Sequence, residues 1–146
     1  MNYISKKVEL KKADTKYQSV MIVDDCEIES FINEIVIKKA GFAEKVYKHS
    51  GAVGSLEFLK NIEMLNYTAF DLLPSVVFLD INMPILDGFQ FLDELNNFPA
   101  PLNKKIKIVI LSSSANPSDI KRASQYKQVV KFLHKPLTKE DLNTIN

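Results

Sequence analysis

Three short, unbroken apolar runs do most to restrict how this chain can fold: Val20-Met21-Ile22-Val23, Val76-Val77-Phe78-Leu79 and Ile108-Val109-Ile110-Leu111. A strand with one wet face alternates apolar and polar residues. Runs without alternation suit strands covered on both faces, as in parallel sheets flanked by helices. Val129-Val130 and Phe132-Leu133, split by Lys131, predict a strand with one wetter side. Val46-Tyr47, between Lys45 and Lys48, predicts an exposed edge strand. Between the runs the spacing turns helical. Ile28, Phe31, Ile32, Ile35 and Val36 form one stripe that Gly41 would stop, and Leu56, Leu59, Ile62 and Leu65 form a second. Phe91, Leu92 and Leu95 form a third after Gly88. Asn116-Pro117-Ser118-Asp119 has the order of an N-cap, a first-turn proline and a first-turn acid, and Thr138 to Asp141 has capping-box spacing. Asn66–Pro74 and Asn96–Lys105 read as the longer connections. Strand alternating with helix five times implies an α/β, doubly wound parallel sheet with helices on both faces.

At 146 residues the chain fits one domain. Its 19 basic and 18 acidic residues leave a formal charge of +1, which gives no field for nucleic acid or an acidic membrane surface. A single cysteine, Cys26, excludes an internal disulfide framework and a Cys-cluster zinc site. No run reaches the roughly 20 apolar residues that span a bilayer. The start of the chain lacks the apolar stretch of a secretion signal, so a cytoplasmic location is expected. Residues 1–17, rich in lysine, read as a loosely ordered arm ahead of a domain over 18–146.

In doubly wound sheets ligands bind beyond the carboxyl ends of the strands. The first run ends in Asp24-Asp25, the second in Asp80, the third in Ser112-Ser113, and the last strand leads into Lys135-Pro136. Carboxylates brought together repel one another unless a cation sits among them. Oxygen-only ligands select a hard ion, Mg2+ ahead of Ca2+ or zinc. Lys135 supplies a point charge for a phosphate oxygen, the Ser112 hydroxyl a hydrogen bond, and one carboxylate a nucleophile toward phosphorus. Pro84 and Gly88 stand at turn positions beyond Asp80, in a loop able to aim the Asn82 carbonyl back at the ion. Neighbouring carboxylates disfavour a reactive thiolate at Cys26, and His49 and His134 have no metal-ligand spacing.

These residues match a known pattern. From about Ser19 to Leu142 the chain resembles the receiver domain of two-component response regulators, on four features. They are the acidic pair Asp24-Asp25, the loop Asp80-Ile81-Asn82-Met83-Pro84-Ile85-Leu86-Asp87-Gly88, Leu111-Ser112, and Lys135-Pro136. The resemblance implies a flavodoxin-like sheet of five parallel strands in the order 2-1-3-4-5. It implies Asp80 as phosphoacceptor, and Asp25, Asp80 and the Asn82 main-chain carbonyl as Mg2+ ligands, with Asp24 acting mainly through water. Ser112 and Phe132 correspond to the switch hydroxyl and switch aromatic, and Asn82 and Ser114 to the positions that tune phosphoryl lifetime. Lys135 corresponds to the phosphate-contacting lysine, with a cis bond to Pro136. The implied partners are a sensor histidine kinase or histidine phosphotransfer protein and a downstream protein target. Contact with the target would change through the face around Asn116–Tyr126 and Val129–Leu133. The last helix has room only for about Lys139–Ile145, shorter than usual, and the resemblance is to stand-alone, chemotaxis-type receivers without an output domain.

Two other functions compete with this one. A phosphohydrolase of the haloacid-dehalogenase type also uses a strand-end aspartate, a hydroxyl, a lysine and Mg2+. It needs a second acid two residues after the nucleophile, where this chain has Asn82, which carries no proton in that role. A receiver-like scaffold that binds proteins without being phosphorylated is the third reading. It leaves the full set of acceptor, acidic pair, hydroxyl and lysine without a use.

Overall fold

The computed structural model describes residues 14–65, 70–114 and 116–146. Five strands form one parallel sheet: β1 (Tyr17–Val23), β2 (Ala43–His49), β3 (Val76–Asp80), β4 (Lys107–Ser112) and β5 (Val129–His134). Their order is β2-β1-β3-β4-β5, as the resemblance implies. The helices are α1 (Glu27–Lys39), α2 (Ala52–Met64), α3 (Gly88–Asn96), α4 (Ala100–Lys105), α5 (Pro117–Ala123) and α6 (Lys139–Asn143). Most of the arm lies outside the described residues. The strand β1 opens at Tyr17, and the Lys16 main-chain N–H before it bonds the Gly41 carbonyl at 3.1 Å.

The unbroken apolar runs are explained by two cores, one on each side of the sheet. Met21, Val23, Val77, Leu79, Ile108 and Ile110 pack with Leu59 and Ile62 of α2, Phe91, Leu92 and Leu95 of α3, Leu102 of α4 and Ala123 of α5. The alternate residues Val20, Ile22, Val76, Phe78, Val109 and Leu111 pack with Ile37 of α1 and Leu142 of α6. Successive side chains of a strand point to opposite faces, so where both faces are covered, at 20–23, 76–79 and 108–111, every position is apolar. The edge strands are less buried. β5 has only Leu133 buried and is broken by an irregularity opposite Ile108 and Val109.

Three local expectations change. Of the stripe that signals α1, only Val36 packs against the core, half-buried. Ile28, Phe31, Ile32 and Ile35 are exposed, whereas Ser30, Asn33 and Ile37 face inward. Periodicity finds a helix but does not say which side meets the sheet, and here the close-packed side carries small polar residues. The connection Asn96–Lys105 contains a helix, α4, held by the fully buried Leu102. Pro101 lies in its first turn, where a missing N–H is not needed. The last helix ends at Asn143, although Ile145 beyond it stays buried. The caps at Asn116 and Thr138 form as expected, the second as a capping box with Asp141.

Candidate functional site

The carboxyl ends of β1 and β3 set three carboxylates together. Oxygens of Asp24, Asp25 and Asp80 lie within 4.8 Å of one another, with Asp24 and Asp80 buried and Asp25 exposed. The parallel register of β1 and β3, with Val23 opposite Leu79, puts the residue after each strand pair at one level. Main-chain amides orient two of the acids. The Cys26 N–H donates to Asp24 Oδ1 at 2.9 Å, and the Asn82 N–H donates to Asp80 Oδ1 at 2.9 Å.

Lys135 closes the group from the far side of the sheet. Its ammonium donates to Asp24 Oδ2 at 2.9 Å, Asp80 Oδ2 at 3.3 Å and Glu29 Oε2 at 2.6 Å. The backbone sets its position: the Lys135 N–H bonds the Ser112 carbonyl at 2.9 Å, and the Lys135–Pro136 bond is cis. Burial pushes the Lys135 pKa down, but hydrogen bonds to Glu29 and Asp24 and the charges of Asp80 and Asp24 outweigh it. The ammonium is held above the ordinary lysine value. Asp80 moves up from the usual carboxylate value because burial disfavours its charge. The Asn82 amide and Lys135 pull it down without fully offsetting that cost.

The loop after Asp80 is built around close packing. Ile81 and Met83 are buried, Asn82 is exposed between them, and Asp87 caps α3 in a reciprocal box with Gln90. The sequence suggests a turn role for Gly88; its actual role is to leave space. A Cβ there would lie 2.6 Å from Ile81 Cα and 2.9 Å from the Asp80 carbonyl oxygen, so only glycine lets α3 start against the strand end. The left-handed residue of the loop is Ile85 at φ 72°, a β-branched side chain that is 89% exposed.

A model of the response regulator receiver domain matches residues 20–145. The chain belongs to that family. Among curated proteins this receiver resembles a probable methanogenesis regulatory protein of Methanothrix harundinacea. The two are 25% identical over 123 residues, which is 84% of this chain and 75% of the other. Among solved structures, a two-component response regulator of Cytophaga hutchinsonii superposes with a TM-score of 0.78 at 27% identity, covering 88% of this chain and 92% of its own. A response regulator receiver protein of Dyadobacter fermentans gives 0.71 at 26% identity, covering 86% and 95%.

The structure places the remaining residues singled out in the receiver's sequence as follows. Ser112 ends β4 with no exposed surface, and its oxygen accepts the Ser114 N–H at 3.1 Å. Ser114 itself is exposed. Phe132 pairs with Ile110 across β4 and β5 and is half-buried against the core on the α2–α5 side. Cys26 is an exposed residue at the head of α1. His49 packs against the Phe58 ring at 5.4 Å, where burial lowers its pKa, and His134 is exposed. Among the described residues the aspartate trio is the one cluster able to hold a metal ion, and its all-oxygen donors fit a hard cation. No helix among them is long and apolar enough to cross a membrane. Sequence reasoning missed Glu29. It sits on the first turn of α1, four residues after Asp25, and only the packing of α1 against β1, which Asp24 follows, and α6, which Lys135 precedes, reveals that it reaches Lys135.

Proposed function

We propose that this receiver accepts a phosphoryl group from a phosphohistidine partner onto Asp80 and signals through a change in protein binding. The observation that carries the reading is the Lys135 ammonium, bonded at once to the buried Asp24 and Asp80 carboxylates at the rim where four strands end. Asp24, Asp25, Asp80 and the Asn82 main-chain carbonyl are the residues that would hold Mg2+. When bound, the ion neutralises the carboxylates and the phosphoryl oxygens so that two anions can approach.

The steps left to the chain's own groups are positioning and attack. An Asp80 oxygen forms a bond to phosphorus while the phosphorus–nitrogen bond breaks, and that electron pair leaves with the partner's imidazole. The Asn82 N–H holds the carboxylate's orientation through Oδ1, and Lys135 supplies positive charge for an oxygen of the transferred group. Ser112 stands ready to hydrogen-bond the product, with Phe132 packed beside its strand as the element that moves with it. The partner approaches next to α1, whose outward side presents Ile28, Phe31 and Ile32.

Incubation with phosphoramidate and Mg2+, followed by intact-protein mass spectrometry, tests the reading. The wild type should gain one phosphoryl group and lose the gain when the ion is chelated. Asp80→Asn should gain none. Labelling of Asp80→Asn equal to wild type would move the acceptor elsewhere. Asn82, two residues beyond Asp80, lacks the acid that fast hydrolytic turnover needs, so steady phosphatase activity is not expected.

A further inference from the structure

An ammonium has three hydrogens to donate, and all three of Lys135's are taken. Its acceptors are Asp24 at 2.9 Å, Asp80 at 3.3 Å and, nearest of all, Glu29 at 2.6 Å. A phosphoryl oxygen on Asp80 can therefore be reached only by giving up a carboxylate. The three are not equivalent. Asp24 and Asp80 belong to the trio that would be engaged by a metal ion, whereas Glu29 lies outside it. Glu29 is also the only one of the three that α1 supplies, and its side chain is 45% exposed while those of Asp24 and Asp80 are 3% and 7% exposed. A cavity of about 290 Å3 opens beside the pair, lined by Glu29, Ile32, Asn33, Lys135 and Pro136, so the two side chains can part without disturbing the core.

We propose that Glu29 is a positioning residue of the phosphoryl site, holding the Lys135 ammonium in a resting place between α1 and the aspartate trio. The inference rests on the phosphoryl-accepting reading and deepens it. Glu29 acts in opposite senses on the two ligands of the site. By drawing the ammonium partly out of the trio, and by adding negative charge nearby, it favours entry of a divalent cation. By competing for the same ammonium, and by repelling a second anion, it disfavours the phosphoryl group. Removing the Glu29 charge should thus weaken one ligand and strengthen the other. A generally loosened fold would weaken both.

The test is calorimetric titration of the full chain with Mg2+ alone, then with beryllofluoride at saturating Mg2+. Glu29→Gln should bind Mg2+ about threefold more weakly and beryllofluoride about threefold more tightly, a size set by the partial exposure of the pair. Glu29→Asp keeps the charge but shortens its reach, so its beryllofluoride affinity should also rise. Any other pattern, with both affinities moving together, neither moving, or Glu29→Asp matching wild type for beryllofluoride, overturns the role of Glu29. That result would leave the acceptor reading intact as long as wild type binds beryllofluoride. Wild type that shows no Mg2+-dependent beryllofluoride binding overturns the acceptor reading, and the inference with it.

Discussion

At the carboxyl ends of the strands the Lys135 ammonium meets three carboxylates, two of them buried. At the amino ends Lys107 reaches the Tyr17 hydroxyl at 3.5 Å and the main-chain oxygen of Asn146 at 2.5 Å, and Lys16 donates to the main-chain oxygen of Ile145. The same side-chain chemistry has different consequences at the two ends. Lys107 and Lys16 tie the last residues of the chain to the sheet. Lys135 balances charges that the fold itself has forced together, and a balance of that kind can be shifted by any ligand carrying charge of its own. The difference follows from direction. In a parallel sheet all strands leave at one rim, so the loops that carry polar side chains converge there.

The largest effect should come from removing the balancing charge. Lys135→Ala leaves the buried Asp24 and Asp80 without a cation and should cost about 2–3 kcal/mol of stability in metal-free buffer, read from urea unfolding. Added Mg2+ should recover part of that loss, because it supplies positive charge to the same acids. A loss unchanged by Mg2+ would mean that the trio does not behave as a cation site. Next in size is Gly88→Ala, whose Cβ meets backbone on two sides and should cost about 2 kcal/mol. The same assay reads it. A near-neutral result would show that the start of α3 can shift, and that the rim is less tightly built than the Gly88 contacts indicate.

One side of this contrast, the carboxyl rim, is legible in the sequence. The three apolar runs predicted strands covered on both faces because burial on two sides removes alternation, and the residues ending each run predicted the rim, since strand ends are fixed once strands are. The stripes of α2 and α3 do meet the core through Leu59, Ile62, Phe91, Leu92 and Leu95, but the orientation of α1 escapes the pattern. Of the α1 stripe from Ile28 to Val36, only Val36 packs on the core; the first four members lie outside, and Ser30, Asn33 and Ile37 take the inward positions. The same rotation brings Glu29 to Lys135, across 106 positions of sequence, and no local pattern encodes a contact of that range. Gly88 suggests a turn because glycine usually marks one, yet its requirement is steric and set by Ile81 and Asp80. The helix α4 is hidden by Pro99 and Pro101, which suggest a loop, while Leu102 is the one residue it buries.

A smaller effect should separate the ends by pH. The folded-state pKa of Asp80 is raised above its ordinary value of 3.8, so the folded chain holds that proton more tightly than the unfolded chain. Between the two values stability falls as pH rises, because a buried carboxylate becomes charged. Asp80→Asn removes this cost. The variant should be more stable than metal-free wild type at neutral pH, with the gap closing as the pH falls toward the ordinary carboxylate range. Parallel pH profiles would show that Lys135 and the Asn82 amide already offset the burial of Asp80.

The smallest effect belongs to the amino end. Lys107→Ala removes donors to a hydroxyl and a main-chain oxygen that stay near water and can be solvated in its place. Its cost should be about 0.5 kcal/mol, near the low end for a hydrogen bond, and also independent of Mg2+. The comparison with Lys135→Ala is therefore one of kind as well as size. Urea unfolding of both variants with and without the ion should show a shift for one and none for the other. If Mg2+ moved the Lys107→Ala midpoint as much as that of Lys135→Ala, the ion would be acting on the whole fold, and the carboxyl rim would lose its claim to be the place where charge is exchanged. If the Lys107 loss matched that of Lys135, sealing the chain end would matter to this fold as much as balancing its buried acids.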